Sequence, residues 1–333
     1  MKILILGGAG YIGSTLSPYL HEQGHEVTIL DSLLYEHITR DFGHAKFIKG
    51  DIRNINDLLP AITNADAVVN LAALSNDTTA DLQPSVTWET NYKANELIAE
   101  LCRVLRKRVI YASSCSVYGF AESGVFSEDS RLNPVTLYAQ TKMLSEKYYL
   151  EDGVDAIILR FATVYGYTTK PRFDLVVNAM IGTSFFDKKI LVNGGEQWRP
   201  LVHVKDVARA IYLSIIAENP RYRVLNVGSN AQNFKIADLG NLIGSNLKDI
   251  EVIHNTESLD TRSYQADFSR IEWQLGFKAE YTIEHAIEEF YEVFEKKLIL
   301  NMAEDEYYRI KYLKKNYHAV SESSFYTKLG RRI

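Results

Sequence analysis

The chain has 333 residues, 46% hydrophobic and 24% charged, enough for one large domain or two ordinary ones around a sizeable buried core. A formal charge of −5 gives no electrostatic reason for nucleic acid or an anionic membrane surface as partner. Two cysteines, Cys102 and Cys115, exclude a disulfide framework and fit reduced thiols in the cytoplasm, and no apolar run nears the roughly 18 residues that cross a bilayer.

The N-terminal "MKILIL" is too short for the apolar region of a signal peptide and reads as a buried strand at 2–6. Further strands are expected at 26–30, 46–50, 67–72, 108–113 and 156–161, all apolar almost throughout, as strands covered on both faces are. Between the fourth and fifth, Ala94, Leu97, Ile98, Leu101 and Leu105 recur at helical spacing. The alternation predicts an α/β fold with a parallel, doubly wound sheet of Rossmann type. Pro18 falls inside the first helical pattern, where it should remove a hydrogen bond and bend the helix. After residue 165 the segments become mixed: helices at 173–185, 205–218, 235–245 and 282–298, and short strands near 189–193 and 223–227. The expected division is a dinucleotide-binding domain over 1–165 with 205–230 packing back onto it, a smaller α/β substrate lobe over 166–298, and a tyrosine-rich arm over 299–333.

"LILGGAGYIGS" sets Gly7, Gly10 and Gly13, with Tyr11 and Ile12 between them, between the first strand and the first helix. Such a turn lets a pyrophosphate approach the backbone N–H groups of a helix start. Asp31 ends the second strand, where a carboxylate accepts both ribose hydroxyls and repels a 2′-phosphate. With Ser32, Leu33 and Leu34 following and no arginine, NAD is favoured over NADP. "GDIR" supplies Asp51 and Ile52 at the end of the third strand, placed to bracket an adenine.

Tyr138 and Lys142 of "YAQTK" lie one helical turn apart, downstream of the serine cluster "ASSCSVYG" at the end of the fifth strand. Ligands gather at that edge of open parallel sheets. With the glycine turn and the acid-ended second strand, this set resembles the extended short-chain dehydrogenase/reductase family, in its nucleotide-sugar epimerase/dehydratase branch, over about residues 1–298. The resemblance implies Tyr138 as base or acid, Lys142 lowering its pKa and holding the nicotinamide ribose, and Ser114 gripping the reacting hydroxyl. A free tyrosine titrates near 10, so work near pH 7 asks for about 4 kcal/mol in favour of the phenolate. By the same resemblance Leu71, Ala72, Ala73 and Ser113 lie beside the NAD. Asn91 holds a polar position behind the site or packs a helix. Thr163 stands where the family often has a phosphate-contacting asparagine.

Arg199 and Arg262 resemble family arginines that clamp a nucleoside diphosphate, a task that suits a planar guanidinium, and Asn178 matches an asparagine on the substrate side. His203 and Asp206 read as structural. The 4,6-dehydratases of the branch carry an Asp–Glu pair after the hydroxyl residue, where this chain has Cys115 and Ser116, so water elimination is not expected; Cys115 reads as a packed thiol. What the resemblance leaves is hydride chemistry at sugar C4, with no metal. The first expectation is a 4-epimerase of a nucleoside-diphosphate sugar. A C4 dehydrogenase or 4-ketoreductase of a hexose or heptose uses the same motifs; a carbonyl reductase of an apolar substrate and a non-catalytic NAD sensor are the remaining alternatives. A cytoplasmic homodimer joined through helices around 84–106 and 136–150 is the family expectation for assembly.

Overall fold

The computed structural model describes residues 1–35, 42–119, 124–255 and 263–316. Its first half runs β1 (Lys2–Leu6), α1 (Gly13–Glu22), β2 (Glu26–Asp31), β3 (Lys46–Lys49), α2 (Ile55–Thr63) and β4 (Ala67–Asn70). Then come α3 (Asp77–Leu82), α4 (Pro84–Trp88), α5 (Ala94–Val104), β5 (Arg108–Ser114), β6 (Val125–Phe126), α6 (Leu137–Leu150), β7 (Ala156–Phe161) and β8 (Thr163–Tyr165). The second half holds α7 (Val176–Phe186), β9 (Lys189–Asn193), β10 (Trp198–His203), α8 (Val204–Ile216), β11 (Val224–Val227), β12 (Asn233–Lys235) and α9 (Ile236–Ser245). It closes with β13 (Glu251–Asn255), β14 (Gln265–Ala266), α10 (Ser269–Leu275), α11 (Ile283–Glu295) and α12 (Arg309–Lys315).

Seven strands form one parallel sheet in the order β11-β7-β5-β4-β1-β2-β3. Chain order reverses between β1 and β4, and a crevice opens there at the carboxyl ends of the strands. Alternation within each strand feeds two cores. Ile3 and Ile5 face one side, with Leu16, Leu20, Ile157 and Ile211; Leu4 and Leu6 face the other, with Leu58, Ile98, Val109 and Tyr149. This two-sided covering is why the strands read as unbroken apolar runs. Pro18 does not break α1, because Leu16 and Leu20 on either side of it are both fully buried against the sheet.

The second half is woven into this frame. α8 packs on α1 and on β5 and β7, and β11 is the edge strand of the central sheet. A smaller lobe forms around the parallel pair β9–β13, where Ile181, Ile190, Val192, Leu239, Phe290 and Phe294 make its core. β10 pairs with β8 and β12 and stitches the two regions together. The described part of the C-terminal arm docks: α12 lies against α3, with Leu313 buried on Leu74. Between α4 and α5 the helix widens into a π turn over Glu89–Lys93, a feature the sequence pattern does not announce.

Candidate active site

At the end of β1, Gly7 has φ +75°, and a Cβ there would lie 2.6 Å from the Cα of Ala72. Only glycine lets the first strand–helix turn come so close to the chain leaving β4. Gly7, Gly10, Tyr11, Ile12 and Gly13 line a cavity of about 830 Å³ that occupies the crevice. No side chain caps the start of α1. The Ser14 and Thr15 N–H groups already donate to the Gly10 and Ile12 carbonyls at 3.0 and 3.1 Å, so the N–H groups open to an anion are those of Tyr11, Ile12 and Gly13, which make no hydrogen bond among the described residues. The Tyr11 hydroxyl donates to the Gly166 carbonyl at 2.6 Å and ties the turn to the chain that enters the second lobe.

Asp31 lines the same cavity and accepts from the N–H groups of Leu33 at 2.8 Å and Ala9 at 3.1 Å. Burial pushes its carboxyl up from the ordinary range, and those two donors pull it partly back. Asp51, Ile52, Leu71, Ala72 and Ala73 continue the wall, with Asp51 held by Arg53 Nε at 3.0 Å. Asn91, on the π turn, clamps the loop after β4: its amide accepts from the Leu74 N–H at 2.8 Å and donates to the Leu74 carbonyl at 3.0 Å. A turn open at Gly10, an uncapped helix start and a carboxylate at the end of β2 together fit a dinucleotide that has free ribose hydroxyls.

The cavity continues past Ser113 and Ser114 to Tyr138. Ser114 ends β5; Tyr138 and Lys142 stand on the first two turns of α6, whose start is capped by Thr136 accepting from the Ala139 N–H at 3.2 Å. Ser114 stands near enough to the Tyr138 hydroxyl to pull its titration slightly down. It keeps part of its surface on the cavity, yet desolvation around its hydroxyl pushes the phenol up to about 12, with nearby Asp77 adding to the rise. Lys142 Nζ donates to the Ala112 carbonyl at 2.6 Å and lies 5.8 Å from the centre of the Tyr138 ring. Burial drags its ammonium down to about 7, against the pull of Glu146. The sequence leads one to expect a lysine that depresses the tyrosine. Among the protein's own groups burial dominates instead, because it disfavours the charged form of both residues.

Behind this pair stands a closed polar network. Ser113 donates to Glu146 at 2.6 Å, and Arg160 binds the same carboxylate at 2.9 and 2.6 Å. Cys115 is fully buried, its thiol pushed up by desolvation and 3.2 Å from the Arg160 carbonyl, which is the packing role the sequence suggests.

On the far side, Thr163 and Arg199 line the cavity, and Arg199 Nη1 donates to the Trp198 carbonyl at 2.8 Å. Asn178 does not reach it, which corrects the expectation of a substrate contact. It is fully buried, and its amide is spent on the Gly166 N–H at 3.0 Å, the Tyr11 hydroxyl at 3.2 Å and the Arg172 carbonyl at 3.0 Å. Arg262 lies outside the described residues. His203 and Asp206 are structural: His203 bonds Glu289 at 3.1 Å, and Asp206 accepts from the backbone of Glu280 and Tyr281.

Sequence reasoning missed several cavity residues. Arg172 grips Asp174 at 2.9 and 2.7 Å and reaches the Ser75 hydroxyl at 3.2 Å. Ser116 presents a buried hydroxyl with no hydrogen-bond partner among the described residues, and its only signal is membership of the serine cluster. Asp77 and Arg309 also line the cavity, brought there from α3 and α12.

Comparison with known proteins agrees with this geometry. The NAD dependent epimerase/dehydratase family matches residues 3–228. A UDP-glucose 4-epimerase of Lactobacillus helveticus is 28% identical over 253 residues, covering 69% of this chain and 77% of that relative. A UDP-N-acetyl-alpha-D-glucosaminuronate decarboxylase of Bacillus cytotoxicus is 30% identical over 244 residues, covering 68% and 75%. MoeE5, solved in complex with UDP-glucose and NAD, is 28% identical and superposes with a TM-score of 0.78 over 90% of this chain and 100% of that one. The glycine turn, the acid of β2 and the Ser114–Tyr138–Lys142 group all fall inside the matched span, and the chain belongs to the NAD-dependent epimerase/dehydratase family of extended short-chain dehydrogenases/reductases.

Proposed function

We propose that this NAD-dependent enzyme of nucleotide-sugar chemistry is a 4-epimerase of a nucleoside-diphosphate sugar that works through a transient 4-keto sugar. The carrying observation is that Ser114 and Tyr138 line one cavity while Lys142 is buried behind them, its Nζ 5.8 Å from the centre of the Tyr138 ring. One end of that cavity has the dinucleotide features, and the other is lined by Thr163 and Arg199. A diphosphate gripped by Arg199 would present the sugar ring to Tyr138.

In this scheme the Tyr138 oxygen takes the proton of the C4 hydroxyl while Ser114 holds that oxygen. Bound NAD would supply the hydride acceptor for C4 and a positive charge that favours the Tyr138 phenolate. Lys142, with an ammonium near the midpoint of its titration at neutral pH, anchors the ribose and can exchange the proton that Tyr138 carries. Inversion would follow when the 4-keto sugar turns over in the pocket, so that hydride returns to the other face of C4 while Tyr138 gives the proton back to the C4 oxygen. Cys115 and Ser116 supply no carboxylate pair after Ser114, which favours this reading over water elimination. Trp88 on α4 is partly exposed and ring-packed on Tyr92, itself 5.3 Å from Tyr148 of α6, which supports a homodimer through these helices.

The test is a panel of nucleoside-diphosphate sugars labelled with deuterium at C4. The expected product is the 4-epimer with deuterium retained and no net NADH. Accumulating NADH with a keto sugar would mean a dehydrogenase. Tyr138→Phe should lower turnover roughly 10²- to 10⁴-fold with NAD affinity unchanged; wild-type turnover in that variant would remove Tyr138 from the mechanism.

A further inference from the structure

The last described helix brings a charge to the cofactor end of the cavity that the family match, which stops at residue 228, does not include. Arg309, the first residue of α12, is 4% exposed and lines the cavity. Its guanidinium carbon sits 3.9 Å from the centre of the Tyr35 ring, just past the loop that begins at Asp31. Yet Nη1 has no hydrogen-bond partner, and the guanidinium makes no ion pair, among the described residues.

The neighbouring charges do not explain this. Arg172 is already gripped by Asp174 through both of its oxygens and repels Arg309. Asp31 and Asp174 attract it without touching it, and burial pulls its guanidinium down to about 10. A buried cation with an unmade hydrogen bond costs several kcal/mol unless an anion meets it. The arm that carries it is seated firmly: Leu313 is buried on Leu74, with Leu34, Tyr35, Leu82 and Val86 around them. Leu34 and Tyr35 belong to the loop after β2 and Leu74 to the loop after β4, the two loops that border the crevice, while Leu82 and Val86 stand on α3 and α4.

We propose that Arg309 is a dinucleotide-binding residue, whose guanidinium meets the diphosphate of NAD and so latches the C-terminal arm across the mouth of the cofactor site. The inference rests on NAD as cofactor and is independent of what happens at the sugar. The substrate's diphosphate is the weaker choice, because Arg309 contacts Tyr35 beside Asp31, whereas Thr163 and Arg199 mark the substrate end.

The experiment is titration of NAD, ADP and adenosine into the full-length protein, freed of nucleotide, as wild type, Arg309→Gln and Arg309→Lys. Loss of a charge-assisted contact should weaken NAD and ADP roughly 10- to 100-fold in the glutamine variant and less in the lysine variant, leaving adenosine unchanged. Unaltered NAD affinity overturns the proposal, and so does an equal loss for adenosine, since packing on Tyr35 alone would produce that. Should the glutamine variant not fold, hydrogen exchange on the wild type decides: amides of 309–316 should gain protection with NAD and with ADP but not with adenosine, and equal protection in all three refutes the latch. A sugar panel that yields no epimer would leave these binding results standing.

Discussion

Burial disfavours the charged forms of both Tyr138 and Lys142, holding the phenol at about 12 and the ammonium at about 7. Making the phenolate at pH 7 from that starting point asks for about 7 kcal/mol, which the positive nicotinamide ring and a protonated Lys142 have to supply. The lysine also leaves a trace in stability. Its folded value lies below the ordinary 10.5, so between about pH 7 and 10 the unfolded chain holds the extra proton and stability climbs with pH. Lys142→Met removes that penalty, and the variant without cofactor should exceed wild type by on the order of 3 kcal/mol near pH 6, the gap closing toward pH 10. Urea midpoints at the two pH values measure it; a pH-independent gap would mean that the ammonium is not desolvated. At this scale the sequence was legible where chemistry demands a residue type at a fixed spacing, as with Gly7, Asp31, Tyr138 and Lys142. Asn178 shows the limit: one helical residue was assigned a ligand, while its neighbours in space, Tyr11 and Gly166, claim every polar atom it has.

Among the elements, α6 does most to organise the site, and its second half anchors what its first half presents. The Arg160–Glu146 pair joins α6 to β7 with both side chains nearly inaccessible, and Ser113 of β5 completes the carboxylate's bonding. Glu146→Gln leaves the Arg160 charge without its partner, and a loss of about 3–5 kcal/mol is expected. Chemical unfolding of the two proteins checks this; a change below about 1 kcal/mol would show that the pair is offset by its own desolvation. Strand and helix placement was readable because two-sided burial and helical spacing are local properties. The π turn at Glu89–Lys93 was not, since Asn91 is fixed by Leu74, a residue on another element. Arg172 and Arg309 escaped for the same reason, as their partners Ser75 and Tyr35 are remote in the chain.

The whole molecule departs from a reading of two domains laid end to end. The chain finishes β7, builds β8, α7, β9 and β10, and then comes home with α8 and β11 to complete the central sheet. The return of 205–230 could be suspected from its apolar helix, but the pairing of Val224–Val227 with Ile158–Phe161 is set by tertiary contact alone. That homeward strand makes each half a ligand of the other. Severing the backbone at Gly194 should therefore yield two pieces that are insoluble when expressed singly and recover NAD binding when expressed together. A soluble, NAD-binding 1–194 fragment would show the opposite. Such a molecule is expected to melt as one cooperative body, and swapping either half for that of a relative should cost it the shared sheet.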